Sequence, residues 1–212
     1  MAKSALEKAR EAPRSTKARI LTAAEAVFAA KGFEGASTRE IAARAGVNIS
    51  SLHYHWESKE TLYFAVFRNI YDQIVDLLNN TLAPLLARHN KREVAIDITM
   101  GQLFDFFADN PHVPKLLLRR IVENEDIDVG IERDVFAPAW ETFSKWLGRL
   151  GRRAFSEDES RLFMLSVHSV LLVYLLDSRS YQSLLGGSVR SGPLRERVRR
   201  HVIQLVHRLL AA

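Results

Sequence analysis

The chain has 212 residues, of which 47% are hydrophobic and 26% charged, with no cysteine and a formal net charge of +5. That composition belongs to a globular protein and excludes disulfide frameworks, thiolate zinc sites and cysteine nucleophiles, while the positive balance fits an anionic partner. The charged N-terminus has no apolar core for a secretory signal, and "LFMLSVHSVLLVYLL" from Leu162 carries Ser166, His168 and Ser169 and is too short to span a bilayer; a cytoplasmic protein with no membrane partner is expected.

Residues 1–16 read as a flexible basic arm. From residue 17 the pattern is helical, with Ile20, Ala24, Val27, Phe28 and Lys31 at steps of three and four and Gly32 placed to stop the helix before Phe33 packs back. Ser37 and Glu40 then form a capping-box pair ahead of a short helix that buries Ile41, Ala42 and Ala45 and ends at Gly46. A third helix covers Asn48 to Trp56. At about 100° per residue, Leu52, Trp56 and Ile49 share its buried edge, while Ser50, Ser51, His53 and Tyr54 spread over the other side. Gly46, four residues after Ala42, suits the tight turn between two steeply crossing helices.

Short hydroxyls followed by histidine and tyrosine can press on a duplex and reach phosphates and base edges. His53 and His55 stand two apart, so on a helix they point about 200° from one another and cannot share one metal ion. Ser58 caps a fourth, connecting helix. Lys59 in its first turn opposes the helix dipole at a cost of about 0.3–1 kcal/mol, which an adjacent phosphate would remove. Residues 1–56 hold nine Lys/Arg against five Asp/Glu, so most of the positive excess lies in the first quarter of the chain.

Further helices are expected near 92–109, 112–125, 129–153, 157–178 and 193–210, separated by Asn110–Pro111, Asp126–Asp128, Phe155–Ser156 and "LGGSVRSGP". The fold class is all-α: an N-terminal three-helix helix-turn-helix domain joined by a connector helix to a larger helical bundle. Its boundaries fall at 1–16 for the arm, 17–68 for the DNA-binding domain and 69–212 for the rest. No converging acid–base set or nucleophile marks an enzyme, and no cofactor or metal is expected.

The run "RILTAAEAVFAAKGFEGASTREIAARAGVNISSLHYHWESKETLYFAVF", Arg19 to Phe67, resembles the N-terminal domain of TetR-family transcriptional regulators. The family's pattern is Phe-x-x-x-Gly-Phe, then Thr-x-x-x-Ile-Ala-x-x-Ala-Gly-Val, then Leu-Tyr-x-His-Phe-x-x-Lys-x-x-Leu, and nearly every element is present in register. The resemblance implies a dimeric, ligand-responsive DNA-binding protein, commonly a repressor. It implies phosphate contacts from Thr38, Tyr54, His55 and Lys59, and base or backbone contacts from Arg39, Asn48, Ile49, Ser50, Ser51 and His53. Two positions depart from it: His53 stands where tyrosine is common, and Trp56 where phenylalanine is common. The first changes a contact, and a protonated His53 would add charge facing DNA. The wheel sets Ile49 toward the core, against its implied contact.

Leu162, Leu165, Ser169, Leu172 and Leu176 form one stripe, and Leu194, Val198, Val202, Leu205 and Leu209 another, resembling the helix pair that makes the family's homodimer. The arginines of the final helix, Arg190, Arg195, Arg197, Arg199, Arg200 and Arg208, read as its solvated side rather than a membrane face. Candidate walls for a small-molecule effector pocket are Met100, Phe104, Phe107, Trp140, Phe143 and Tyr174, with Glu123 and His168 as polar groups. The function expected is a dimeric repressor on a palindromic DNA operator, released by a small molecule; the alternative is an architectural DNA-binding protein of low sequence specificity.

Overall fold

The computed structural model describes residues 5–12, 14–88, 92–123, 128–150 and 155–211, and every regular element among them is helical. In chain order these are α1 (Ala5–Glu11), α2 (Thr16–Gly35), α3 (Thr38–Ala45), α4 (Ile49–His55), α5 (Lys59–Arg88), α6 (Arg92–Asp109), α7 (His112–Glu123), α8 (Asp128–Ile131), a π-helical turn (Glu132–Phe136), α9 (Ala137–Leu150), α10 (Glu157–Leu175), α11 (Arg179–Leu185) and α12 (Gly192–Ala211). The chain packs as two compact units, Met1–Asp72 with Lys115–Ala137, and Gln73–Pro114 with Pro138–Ala212.

In the first unit, residues 5–11 of the expected flexible arm are helical. Ala9 is buried, and Arg10 bonds Asn69 Oδ1 at 3.0 Å and pairs with Asp72 at 2.8 Å, so the arm is held by α5. Helix α2 breaks where expected: Gly32 takes φ 74° and ψ −178°. A Cβ there would also stand 2.6 Å from Oε2 of Glu123, so both the left-handed backbone and the close approach require glycine. Phe28, Phe33, Tyr63 and Phe67 stack edge to face as the centre of this core.

The capping box at α3 is only half formed. Ser37 Oγ accepts from Glu40 N at 3.2 Å, but the Glu40 carboxylate turns to Lys31 Nζ at 2.7 Å. A complete box occurs at α10, between Ser156 and Glu159.

In the second unit, α6 and α12 run antiparallel and are laced by charge. Arg195 pairs with Asp105 at 2.8 Å and Asp109 at 2.6 Å, Arg199 with Asp105 at 3.2 Å, and His207 with Asp97 at 2.6 Å. Gly101 lies under the Arg199 guanidinium, where any side chain would collide. The arginines expected on a purely solvated face therefore include two that fasten this helix to its neighbour. Helix α11, absent from the expected elements, follows a turn at Asp177, whose φ is 53°. The Asp177 carboxylate accepts from Ser188 Oγ at 2.6 Å, Val189 N at 3.0 Å and Gln182 Nε2 at 3.2 Å, tying both ends of the α10–α12 connection to one buried side chain.

The two apolar stripes are divided between core and surface. Leu172 is buried, as are Val198 and Val202, while Leu162 is 64% and Leu165 60% exposed, and Val173 rather than Leu172 continues the outward face. Among the described residues no single helix is long and apolar enough to cross a membrane; α10 and α11 reach that length only together, at an 87° bend.

Candidate DNA-binding surface

Helices α3 and α4 meet at a turn whose geometry is set by two residues. Gly46 is left-handed at φ 65° and ψ 39°, and its N–H is bonded to the carbonyls of Ala42 and Ala43. The Arg19 guanidinium, reaching across from α2, donates to the carbonyls of Ala45 and Gly46. It satisfies the end of α3 from outside the motif, and it would lie 2.8 Å from a Cβ at position 46.

Helix α4 begins at Asn48, whose Oδ1 accepts from Ser51 N at 2.7 Å, so this side chain is a cap before it is a contact. Leu52 and Trp56 are fully buried and anchor the helix. Ser50 and His53 are exposed, Tyr54 is 85% exposed, and Ser51 and His55 are half-buried. Ile49 is 39% exposed, which corrects its placement on the buried edge: at the first turn the helix has already lifted from the core, so a position facing inward by angle stands clear of it. In α3, Arg39 is exposed and Thr38 half-buried at the first turn. Tyr54 thus projects outward from this short helix with most of its ring in solvent.

The His55 ring lies against Tyr54, 5.0 Å between centroids. Burial and the nearby Lys17 ammonium both hold its pKa below the ordinary histidine value, so at neutral pH it is a neutral imidazole. Lys17 itself, at the start of α2, brings a cation beside α4; only the fold joins it to the motif.

Lys59 also has partners within the fold. Its ammonium donates to the carbonyls of Phe33 at 3.0 Å and Ala36 at 3.3 Å and sits 4.2 Å over the Phe33 ring. It thus meets the negative end of α2 within the fold.

Of the pocket candidates, Met100 and Phe143 line an apolar cavity within the second unit, joined by Thr99, Trp146, Phe163 and Val206, which sequence reasoning missed. Phe104 and Phe107 are fully packed core. Tyr174 instead flanks an open groove with Tyr181 and Leu184, and Trp140 is half-buried on α9. Glu123 pairs with Arg119 in the first unit and His168 lies on α10 in the second, so the two belong to different units. Among the described residues no cluster of histidine and acidic side chains is placed to hold a metal.

A tight glycine turn, a capped helix presented outward and a bundle beyond it define a helix-turn-helix DNA-binding regulator. Residues 20–66 match the family model of bacterial regulatory proteins, tetR family. The HTH-type transcriptional regulator CymR of Pseudomonas putida is 26% identical over 146 residues, 68% of this chain and 70% of CymR. The negative regulator IcaR of the Staphylococcus aureus (strain Newman) biofilm operon icaADBC is 30% identical over 93 residues, 44% of this chain and 46% of IcaR, so the chain spans about half of that relative. A TetR-family transcriptional regulator from Mesorhizobium loti MAFF303099 shares the fold along nearly the whole length, with a TM-score of 0.63 at 20% identity over 99% of this chain and 98% of its own. Residues 20–66 thus carry the helix-turn-helix domain of the TetR family of transcriptional regulators, and the relatives and the shared fold agree with that family.

Proposed function

We propose that this protein is a homodimeric repressor that binds a palindromic operator in the cytoplasm and is released by a small-molecule effector. The observation that carries the DNA reading is the outward presentation of Ser50, His53 and Tyr54 on α4, fixed by the buried anchors Leu52 and Trp56. Thr38, Arg39, Asn48, Ile49, Ser51, His55 and Lys59 complete the proposed contact set, with Lys17 added. Dimerisation is supported by the unpartnered face of α10, where Leu162, Leu165 and Val173 stand exposed at helical spacing beside Leu209 of α12. One seven-residue helix reads too few bases for a genomic site, whereas two related by a dyad read both halves of a palindrome. IcaR is a negative transcriptional regulator, and repression is extended from it to this chain. Release requires an effector with higher affinity for the DNA-incompetent conformation.

Selection of duplexes from a random pool, followed by anisotropy titration against a scrambled duplex at several salt concentrations, tests the reading. A palindrome bound at least about a thousandfold tighter than scrambled DNA supports it. Equal binding to both, falling steeply with salt, replaces it with the architectural alternative.

A further inference from the structure

Resting on the effector-released reading, we infer that the effector is a neutral, mostly hydrocarbon molecule with one polar group, that it enters the apolar seam between α6, α9 and α10, and that Thr99 selects it. The seam has a cavity of about 20 Å³. Its walls are Met100, Leu103, Phe143, Trp146 and Phe163, all hydrocarbon, aromatic or thioether where they face it. Thr99 is the exception. It is 3% exposed, lines the cavity, and its Oγ1 has no hydrogen-bond partner. A threonine on a helix can satisfy itself on the carbonyl one turn back, and this one does not.

Three consequences follow from that chemistry. About one water could fit, but a buried water needs two to four polar partners and the seam supplies one, so the space stays dry. An ionised carboxylate or amine would lose its hydration with no counter-charge on the lining, so charged ligands are selected against. A neutral molecule with a hydroxyl or carbonyl would bury its hydrocarbon part and satisfy Thr99, removing an unpaired polar atom that the empty protein carries. The small resting volume means that such a molecule must part the walls. Trp146, held by its Nε1–H to Asn79 Oδ1 at 3.2 Å, is the wall residue whose fluorescence reports the movement. The ligand then favours a parted seam over the closed one seen here, and that differential affinity is what a release mechanism needs.

The test uses the full-length protein with three probes of nearly one shape: p-cresol, p-xylene and 4-methylbenzoate. Binding is read by tryptophan fluorescence and thermal shift, and anisotropy of the selected operator is read in the same samples. The expected result is p-cresol binding about tenfold tighter than p-xylene, no binding of 4-methylbenzoate, and weaker operator affinity in the presence of p-cresol. Trp146→Phe should lose the fluorescence change, and Thr99→Val should bind p-cresol and p-xylene equally while melting at or above the wild-type temperature. The inference is overturned if neither neutral probe binds, if the charged probe binds best, if Thr99→Val keeps the preference, or if p-cresol binds without changing operator affinity. Operator binding measured without any probe reports on the repressor reading by itself, so the two failures are separable.

Discussion

Tyr54 and Lys59 carry the same family expectation and end in opposite situations. Tyr54 is 85% exposed with its ring against His55, so Tyr54→Ala should weaken operator binding by about ten- to a hundredfold, the loss of a hydrogen bond to a charged oxygen, with melting temperature and dimer unchanged in parallel calorimetry and sedimentation. Lys59 is committed to two carbonyls and an aromatic face. Lys59→Met keeps the stem and loses the charge; urea unfolding should show a loss of about 1–2 kcal/mol, and operator affinity should fall far less than for Tyr54→Ala. Glu25 shows the reverse of ordinary carboxylate behaviour: burial pushes its pKa from 4.5 up to about 6. The folded chain therefore binds this proton more tightly than the unfolded chain, so the stability it lends is full below 4.5 and is lost as pH rises through 6. Glu25→Gln should flatten the difference in stability between pH 4.5 and 6 and raise stability at pH 7 by at most about 2 kcal/mol, measured as paired denaturant curves across that range.

Helices α2 to α4 were legible because their signals are local. A left-handed glycine, a capping serine or asparagine and a three-to-four-residue apolar spacing act within one or two turns, and Gly32, Ser37, Gly46 and Asn48 do what their residue types favour. Glu40 shows the limit of such signals, because a lysine nine residues earlier competes for its carboxylate and wins. Helices α1 and α11 have seven residues each, too few for periodicity to stand out, and they persist through tertiary anchors such as Arg10 and Asp177. Asp177→Ala should therefore cost about 2–4 kcal/mol and loosen α11, because three donors lose one acceptor and alanine is strained at φ 53°. Asp177→Asn, which tolerates that backbone, should cost less, and hydrogen exchange of α11 amides distinguishes the two.

For the whole molecule, the exposed face of α10 is the feature with the largest consequence. Replacing Leu162 and Leu165, 64% and 60% exposed, by glutamate should leave helicity and melting of the monomer nearly unchanged while shifting sedimentation from dimer to monomer, with affinity for a palindrome collapsing toward that for a half-site. The stripe that contains these leucines is visible in the sequence. Which of its members face outward is not, since Leu172 and Val173 are adjacent and equally apolar, and only packing decides that the first is core and the second surface. The same holds for the cavity proposed to take the effector, where Met100 and Phe143 could be named from aromatic and sulfur content but Thr99, Trp146 and Val206 come from three helices that no spacing rule connects. The sequence by itself determined the all-α class, the helix-turn-helix and the family, because each is written in contacts within a few turns of chain. Tertiary structure alone decided where Lys59 and Glu40 spend their charges, which arginines of α12 are fasteners, and where an unpaired hydroxyl lies buried, because those outcomes depend on partners from 9 to 94 residues away competing for the same atoms.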